Sequence, residues 1–438
     1  MTGRGATDRL RSTVIGERLL LHNAVVGGST LLAGFLGFAF QALISHRLRP
    51  AEYAGVFGAM TLLTLITLPG AALTLLMARE TSRDRATGRH ALSTALLSGG
   101  NRILIVCGGA LGLTLAVASP WIAGFLNAPL GFVLAVTAGV PVALALPLLL
   151  GELQGQQRFL SFSFLTAGQA ALKLVAAVVL GIILGPIGVV GGLAVASTLT
   201  YLLAWYLLRR KLRRRVAAAW LRPAIGYLGL VLPSTLALSV LLTADVLLVN
   251  HFFPRSAAGE YGAVAALGRA IFWGAAGVAT VLFPKVIFHE AQGVSGTRIV
   301  ALSLGLVVLG GAGGLVLLGA SSKLVLTAFS GTAYLGGASY LAGYAVAMTL
   351  LGCASVLIAT HQSRARRSFL AVLIPIAVAE PIAIAAFHRD VIQVVQVLNL
   401  TVLTLVVGLA ALLLRGSHSA AKSPAGLATR SLPAELNA

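Results

Sequence analysis

The sequence predicts an all-α polytopic membrane protein of about twelve transmembrane helices, arranged as two six-helix lobes around a central cavity. Three observations carry this. Apolar residues make up 58% of the 438-residue chain and charged residues 10%, against roughly 25% charged in soluble domains, and the mean hydropathy is +0.94. Apolar runs of about 20 residues, each enough to cross a hydrocarbon core of roughly 30 Å, recur along the whole length. A short pattern also repeats: Arg49 to Gly58 (RPAEYAGVFG) is echoed 208 positions later by Ala257 to Ala266 (AAGEYGAVAA), with Glu52, Tyr53 and Val56 matching Glu260, Tyr261 and Val264. Each copy sits at the turn between the first and second apolar runs of a half-chain. A duplication of that kind, two parallel six-span repeats, places a binding site between the lobes near the bilayer midplane.

Residues 1–20 are polar and basic and form a cytoplasmic N-terminal segment; the run after them is long and has no small-residue cleavage site, so it is a retained span. The first lobe, 21–208, contains spans near 21–45, 55–78, 93–118, 130–150, 160–184 and 187–208. A basic cytoplasmic linker, 209–224, follows. The second lobe, 225–415, contains spans near 225–252, 260–286, 299–320, 336–360, 369–387 and 392–414. The tail 416–438 is rich in small residues and proline and is read as disordered. Cys107 and Cys353 fall inside spans, where they serve as small apolar packing residues.

The basic residues set the orientation. With both termini cytoplasmic, 24 of the 32 Lys and Arg residues lie on inner segments and five on outer loops, Arg47, Arg49, Arg255, Lys323 and Arg389. The positive-inside rule therefore places both ends in the cytoplasm, and the high Ala, Gly and Arg content suggests a GC-rich bacterium, hence a bacterial cytoplasmic membrane. The net charge of +20 is a topology signal rather than a nucleic-acid footprint, and no nucleic-acid partner is expected. The run RRKLRRR at 209–215 is first a topology signal, and the 209–223 linker can also attract anionic phospholipids.

Enzyme signatures are missing. The chain contains no Walker A pattern, HExxH, CxxC or GxSxG, and GPIGVVGG at 185–192 lacks the lysine a phosphate loop needs. No enzyme activity, cofactor or metal site is expected. Fifty glycines, with Pro69, Pro141, Pro147, Pro233, Pro284 and Pro375, suit close helix packing in lipid and provide bending points for transport.

Ionisable residues inside spans cost about 2.5–3.5 kcal/mol on insertion scales, so they face a cavity or a partner. Counting from span ends at 1.5 Å per residue puts Lys173 about 16 Å deep, Arg269 about 13 Å, and Asp245 and Glu380 about 10 Å. Lys173, Arg269 and Arg102 form the candidate cationic cavity, with snorkelling to the inner interface the competing reading for Arg102. Asp245 with Arg269 reads either as a structural ion pair or as a substrate or proton site, and Asp245 with Glu380 is the candidate coupling site, for H+ or Na+. No Asp or Glu lies deep in the first six spans. A cavity of mainly positive fixed charge attracts phosphate-bearing substrates and repels cationic ones.

The stretches RLRPAEYAGVFGAMTLLTLITLPGAALTLLMARETSR (47–83), GELQGQQRF (151–159) and TADVLLVNHFFPRSAAGEYGAVAALGRAIFW (243–273) resemble polysaccharide-export flippases of the multidrug/oligosaccharidyl-lipid/polysaccharide exporter superfamily. The likeness covers residues 20–415. It implies an alternating-access transporter that carries a polyprenyl-pyrophosphate-linked oligosaccharide from the inner to the outer leaflet, working beside glycosyltransferases or a polymerase. It also places Arg79, Gly151, Gln154, Gly155, Arg158 and Phe159 at the inner gate, where loop capping and headgroup contact is the plainer reading. Two other classes remain: a cation-coupled drug or metabolite exporter of the same superfamily, which deep carboxylates in the first lobe would favour, and a membrane polymerase or acyltransferase, which would need a large outer loop or clustered His and Arg.

Overall fold

The computed structural model describes residues 4–88, 91–214, 221–291, 297–364 and 367–421. Among them are fifteen α-helices and no strand. In the first lobe these are α1 (Arg4–Arg47), α2 (Pro50–Thr67), α3 (Ala71–Thr87), α4 (Ala91–Val117), α5 (Ser119–Phe125), α6 (Leu130–Gly155), α7 (Phe159–Leu184) and α8 (Pro186–Leu212). The second contains α9 (Leu221–Phe252), α10 (Arg255–Ala291), α11 (Thr297–Ala320), α12 (Ser322–Ser330), α13 (Leu341–Ser363), α14 (Leu370–Ala386) and α15 (Val391–Ala421). Ten segments of the described residues are long and apolar enough to cross a membrane, with α2 and α3 counted as one; α14 is a shorter apolar helix, and α10 occupies the place of the expected eighth span.

Several boundaries differ from the sequence expectation. Helix α1 begins at Arg4, so the polar N-terminal segment continues the first span as helix. The second span extends to Thr87, past the end of its apolar run. Helices α8 and α9 take up both ends of the 209–224 linker, while 215–220 and the tail from 422 lie outside the described residues. The tenth span starts at Leu341 rather than 336, because Thr332–Ser339 forms a 3-10 helix.

Proline and glycine explain much of the local geometry. Pro50 opens α2, where a missing amide hydrogen costs nothing, and the Glu52 carboxylate accepts from the Arg49 backbone amide at 3.1 Å. Pro69 interrupts the second span, which turns through a 3-10 segment, Leu68–Gly70, before α3 resumes. Gly188 and Gly192 let α8 pack directly on the backbone of α7: a Cβ at 192 would stand 2.5 Å from the Ala177 backbone.

Within the first lobe α6 packs on α3, α4 and α8, and α7 bridges α8 and α1; in the second, α13 is central, against α10, α11 and α15. The lobes meet where α2 lies against α9 and α10. One core of buried apolar residues runs through this seam and includes the fully buried Tyr53, Tyr261, Tyr334 and Tyr344. Outward-facing positions on α1, α4, α7, α8, α11 and α15 remain apolar, Leu31, Val106, Phe164, Leu202, Leu309 and Leu400 among them, as a lipid-facing surface requires.

The end of the bundle away from the chain termini is sealed by two reciprocal loops. From the first lobe, the loop after α5 places Asn127 so that its amide donates to the carbonyls of Asn250 (2.8 Å) and His251 (3.2 Å) at the end of α9. His251 contacts the Phe125 carbonyl at 3.0 Å and stacks on its ring at 4.3 Å. From the second lobe, α12 and the 3-10 segment reach the end of α1: Ser45 donates to the Phe329 carbonyl (3.2 Å) and Tyr334 to the Leu48 carbonyl (2.8 Å). In both lobes the connection after the third long helix grips the end of the other lobe's first helix. Gly259 of α10 sits so close to the Pro50 carbonyl that no side chain fits between them.

Candidate functional site

Asp245 is the centre of a buried polar cluster in the second lobe. It projects from α9 and is 1% exposed. Its Oδ1 accepts from Nη2 of Arg269 on α10 at 3.2 Å, and its Oδ2 accepts from the hydroxyls of Tyr261 (α10, 3.0 Å) and Tyr344 (α13, 2.8 Å). A carboxylate buried in hydrocarbon is stable only if paired and hydrogen-bonded, and here three donors from two helices meet it. Arg269 in turn stands over the Phe57 ring of the first lobe, 5.5 Å from its centroid, and keeps a buried Nε with no partner among the described residues. The cluster therefore touches the lobe seam. The glycine at 268 lets Tyr344 lie against α10, where a Cβ would overlap its ring.

The duplicated tyrosine now has a geometry in each lobe. Tyr261 donates to Asp245 on the preceding long helix, and Tyr53 donates to Gln41 Oε1 on the preceding long helix, at 3.2 Å. The bond is shared by both lobes, but its acceptor is a neutral amide in one and a carboxylate in the other.

Glu380 on α14 is fully buried; Thr401 of α15 approaches its Oε2 at 3.4 Å, and its Oε1 has no hydrogen-bond partner among the described residues. It lies within electrostatic range of Asp245. Pro381, immediately after it, has no amide hydrogen, which leaves the Ala377 carbonyl without its helix bond. Among the described residues no group of three or more His, Cys, Asp or Glu side chains could hold a metal ion.

No protein-family model matches this sequence, and no curated protein matches it. Solved structures do. An inward-facing conformation of a multidrug resistance MATE family transporter of the MOP superfamily is 14% identical, covers 90% of this chain and 96% of that one, and has a TM-score of 0.73. The eukaryotic MATE transporter AtDTX14 (10% identical, 91% and 96% covered, TM-score 0.68) and the lipid II flippase MurJ in an inward closed conformation (12% identical, 89% and 87% covered, TM-score 0.68) are similar as well. The chain has the MATE/MurJ fold. Its structural neighbours are transporters and a flippase, not enzymes.

The other residues singled out from the sequence lie elsewhere in this fold. Lys173 of α7 is half-buried, on the opposite side of its helix from the exposed Phe164, and has no hydrogen bond or ion pair among the described residues. Arg102 of α4 is exposed and shares a stripe with Val106, Leu113 and Val117, the lipid-facing side of that helix. It does not join the Asp245 cluster.

The six expected gate residues all lie at the terminal end of the first lobe. Gly151 and Gly155 close the α3–α6 seam, where a Cβ would meet the Thr74 carbonyl and the Ala78 backbone. Arg79 is 3.9 Å from Glu80, Gln154 is half-buried on α6, Arg158 is the exposed residue that starts α7, and Phe159 is its first residue. Beside them is a second polar cluster that hydropathy alone does not reveal. Glu152, fully buried, accepts from Thr81 (2.6 Å), from Lys211 (2.7 Å) and from Gln156. Asp84 accepts from the Ser93 backbone amide at 2.6 Å. These carboxylates are buried because α3 and α8 extend beyond their apolar runs and cover them.

Proposed function

We propose that this protein is an alternating-access transporter that flips a polyprenyl-pyrophosphate-linked oligosaccharide from the cytoplasmic to the outer leaflet of a bacterial cytoplasmic membrane, with twelve crossings and both termini in the cytoplasm. The observation that carries the reading is Lys173. It is a cation within a lobe whose carboxylates all sit at helix ends away from it, Glu52 at the far end and Glu80, Asp84 and Glu152 at the terminal end, each engaged there. An unpaired ammonium at that depth is costly unless something negative visits it, and a lipid-borne pyrophosphate is such a visitor. The lipid chains would remain in the bilayer, outside the lobes.

The same charge layout favours a coupling step in the second lobe. Asp245 already has three donors, whereas one Glu380 oxygen has no hydrogen-bond partner among the described residues. We assign Glu380 as the group that takes the coupling H+ or Na+, and Asp245 with Arg269 as the fixed element it acts upon. The contacts that close the far end support a state that loads from the cytoplasm, and on this reading the reciprocal contacts part for release. Glycosyltransferases or a polymerase would supply and consume the glycan.

A cation-coupled drug or metabolite exporter is the second reading, favoured by the MATE transporters among the structural neighbours. Reconstituted protein separates the two. Lys173→Ala should lower flipping of a pyrophosphate-linked oligosaccharide at least tenfold and Lys173→Arg should retain most of it, both variants inserting normally. Unchanged flipping in Lys173→Ala overturns the role of that residue.

A further inference from the structure

A cavity of about 380 Å³ opens at the terminal end of the first lobe, lined by Gln156, Arg158 and the last turns of α8, including Tyr206, Arg209, Arg210 and Lys211. Four cations surround it. Lys211 alone among them has a carboxylate partner, Glu152; Arg158, Arg209 and Arg210 have none within ion-pair distance among the described residues. Arg209 lies over the Tyr206 ring at 4.4 Å, which fixes its guanidinium at the rim. So much unpaired positive charge around one concavity calls for an anion.

The surroundings decide what kind of anion. From the cavity an apolar surface runs along both helices toward the span: Leu160 and Phe164 of α7, and Tyr206 and Leu202 of α8, all more than half exposed. Tyr206 stands at the boundary between the basic rim and this surface, the position of an interfacial aromatic. We propose that this cavity is a headgroup site for an anionic phospholipid, with the phosphate among Arg158, Arg209 and Arg210 and the acyl chains on the α7–α8 surface. Lys211 connects it to the interior, because Glu152 also holds Thr81 of α3. Occupancy therefore ties α8 to the α3–α6 seam, and the bound lipid stabilises this end of the lobe. The site is independent of which substrate the transporter carries.

Full-length protein in detergent is titrated with phosphatidylglycerol, phosphatidylcholine or inorganic phosphate, read by native mass spectrometry and thermal unfolding. Phosphatidylglycerol should be retained in preference to phosphatidylcholine and raise the unfolding temperature, while inorganic phosphate does neither at the same concentration. At about 1 kcal/mol per basic residue, Arg209→Gln with Arg210→Gln should weaken retention about 30-fold, Arg158→Gln alone about fivefold, and the far-end pair Arg255→Gln with Arg389→Gln not at all. Equal retention of the two lipids, or wild-type binding by both the double variant and Arg158→Gln, overturns the proposal. Equal stabilisation by inorganic phosphate overturns the lipid and leaves a site for a soluble anion.

Discussion

Removing the charge of Asp245 should reveal how much of the second lobe rests on its pairing with Arg269. Asp245→Asn keeps the shape and an oxygen for the tyrosine hydroxyls but leaves Arg269, which is 9% exposed, without its counter-charge. Breaking a buried pair from one side costs about 3–5 kcal/mol, chiefly through the charge left behind. Arg269→Gln leaves Asp245 with two hydroxyl donors only, at a cost of about 3 kcal/mol. In the double variant neither charge remains, so its loss should be close to that of one single variant. The expected coupling energy is therefore about 2–3 kcal/mol. Reversible unfolding by SDS in mixed micelles, measured for all four proteins of the cycle, gives that number. A coupling below about 0.5 kcal/mol would mean that the 3.2 Å contact is not an energetic pair.

Three further outcomes follow from the same geometry. Tyr344→Phe removes a 2.8 Å bond to a carboxylate and should cost about 1.5–3 kcal/mol in the same unfolding assay; in an Asp245→Asn background the loss should shrink. Glu380→Gln, with no ion pair to break, should leave the fold intact and remove the dependence of transport on a proton or sodium gradient; gradient-dependent transport in that variant would exclude Glu380 as the coupling group. Gly259→Ala sets a methyl against the Pro50 carbonyl and Asn127→Ala deletes two donor contacts to the other lobe. Both should shift the population toward an open far end, read as longer distances between spin labels placed on the ends of α1 and α9; unchanged distances would show that the loops do not hold the lobes together.

The all-helical membrane architecture and the contact of Asp245 with Arg269 were legible in the sequence, and for the same reason. Apolar runs define antiparallel neighbours, so residues of opposite charge at similar depth on α9 and α10 are able to meet, and burial favours their pairing. Tyr344 was not legible. It is 99 residues from Asp245, and a lone tyrosine in a span has no depth signature of its own; only the packing of α13 on α10 brings it there. Arg102 illustrates the opposite limit, since depth along a helix does not say which side faces lipid. Glu152 lies just past the apolar run 130–150, yet α3 and α8 continue past that point and bury it. The reciprocal loops leave no mark in the sequence because they are short. Short connections read as simple turns, and their grip on the opposite lobe is a tertiary contact that hydropathy does not encode.

The most direct test of the account is leaflet translocation by the purified wild-type protein in proteoliposomes, offered a fluorescent polyprenyl-pyrophosphate oligosaccharide and, separately, a fluorescent organic cation. Gradient-dependent translocation of the pyrophosphate lipid is expected, with loss of that activity in Lys173→Ala and no transport of the cation. Gradient-dependent export of the cation with no movement of the lipid would contradict it and establish the exporter reading instead.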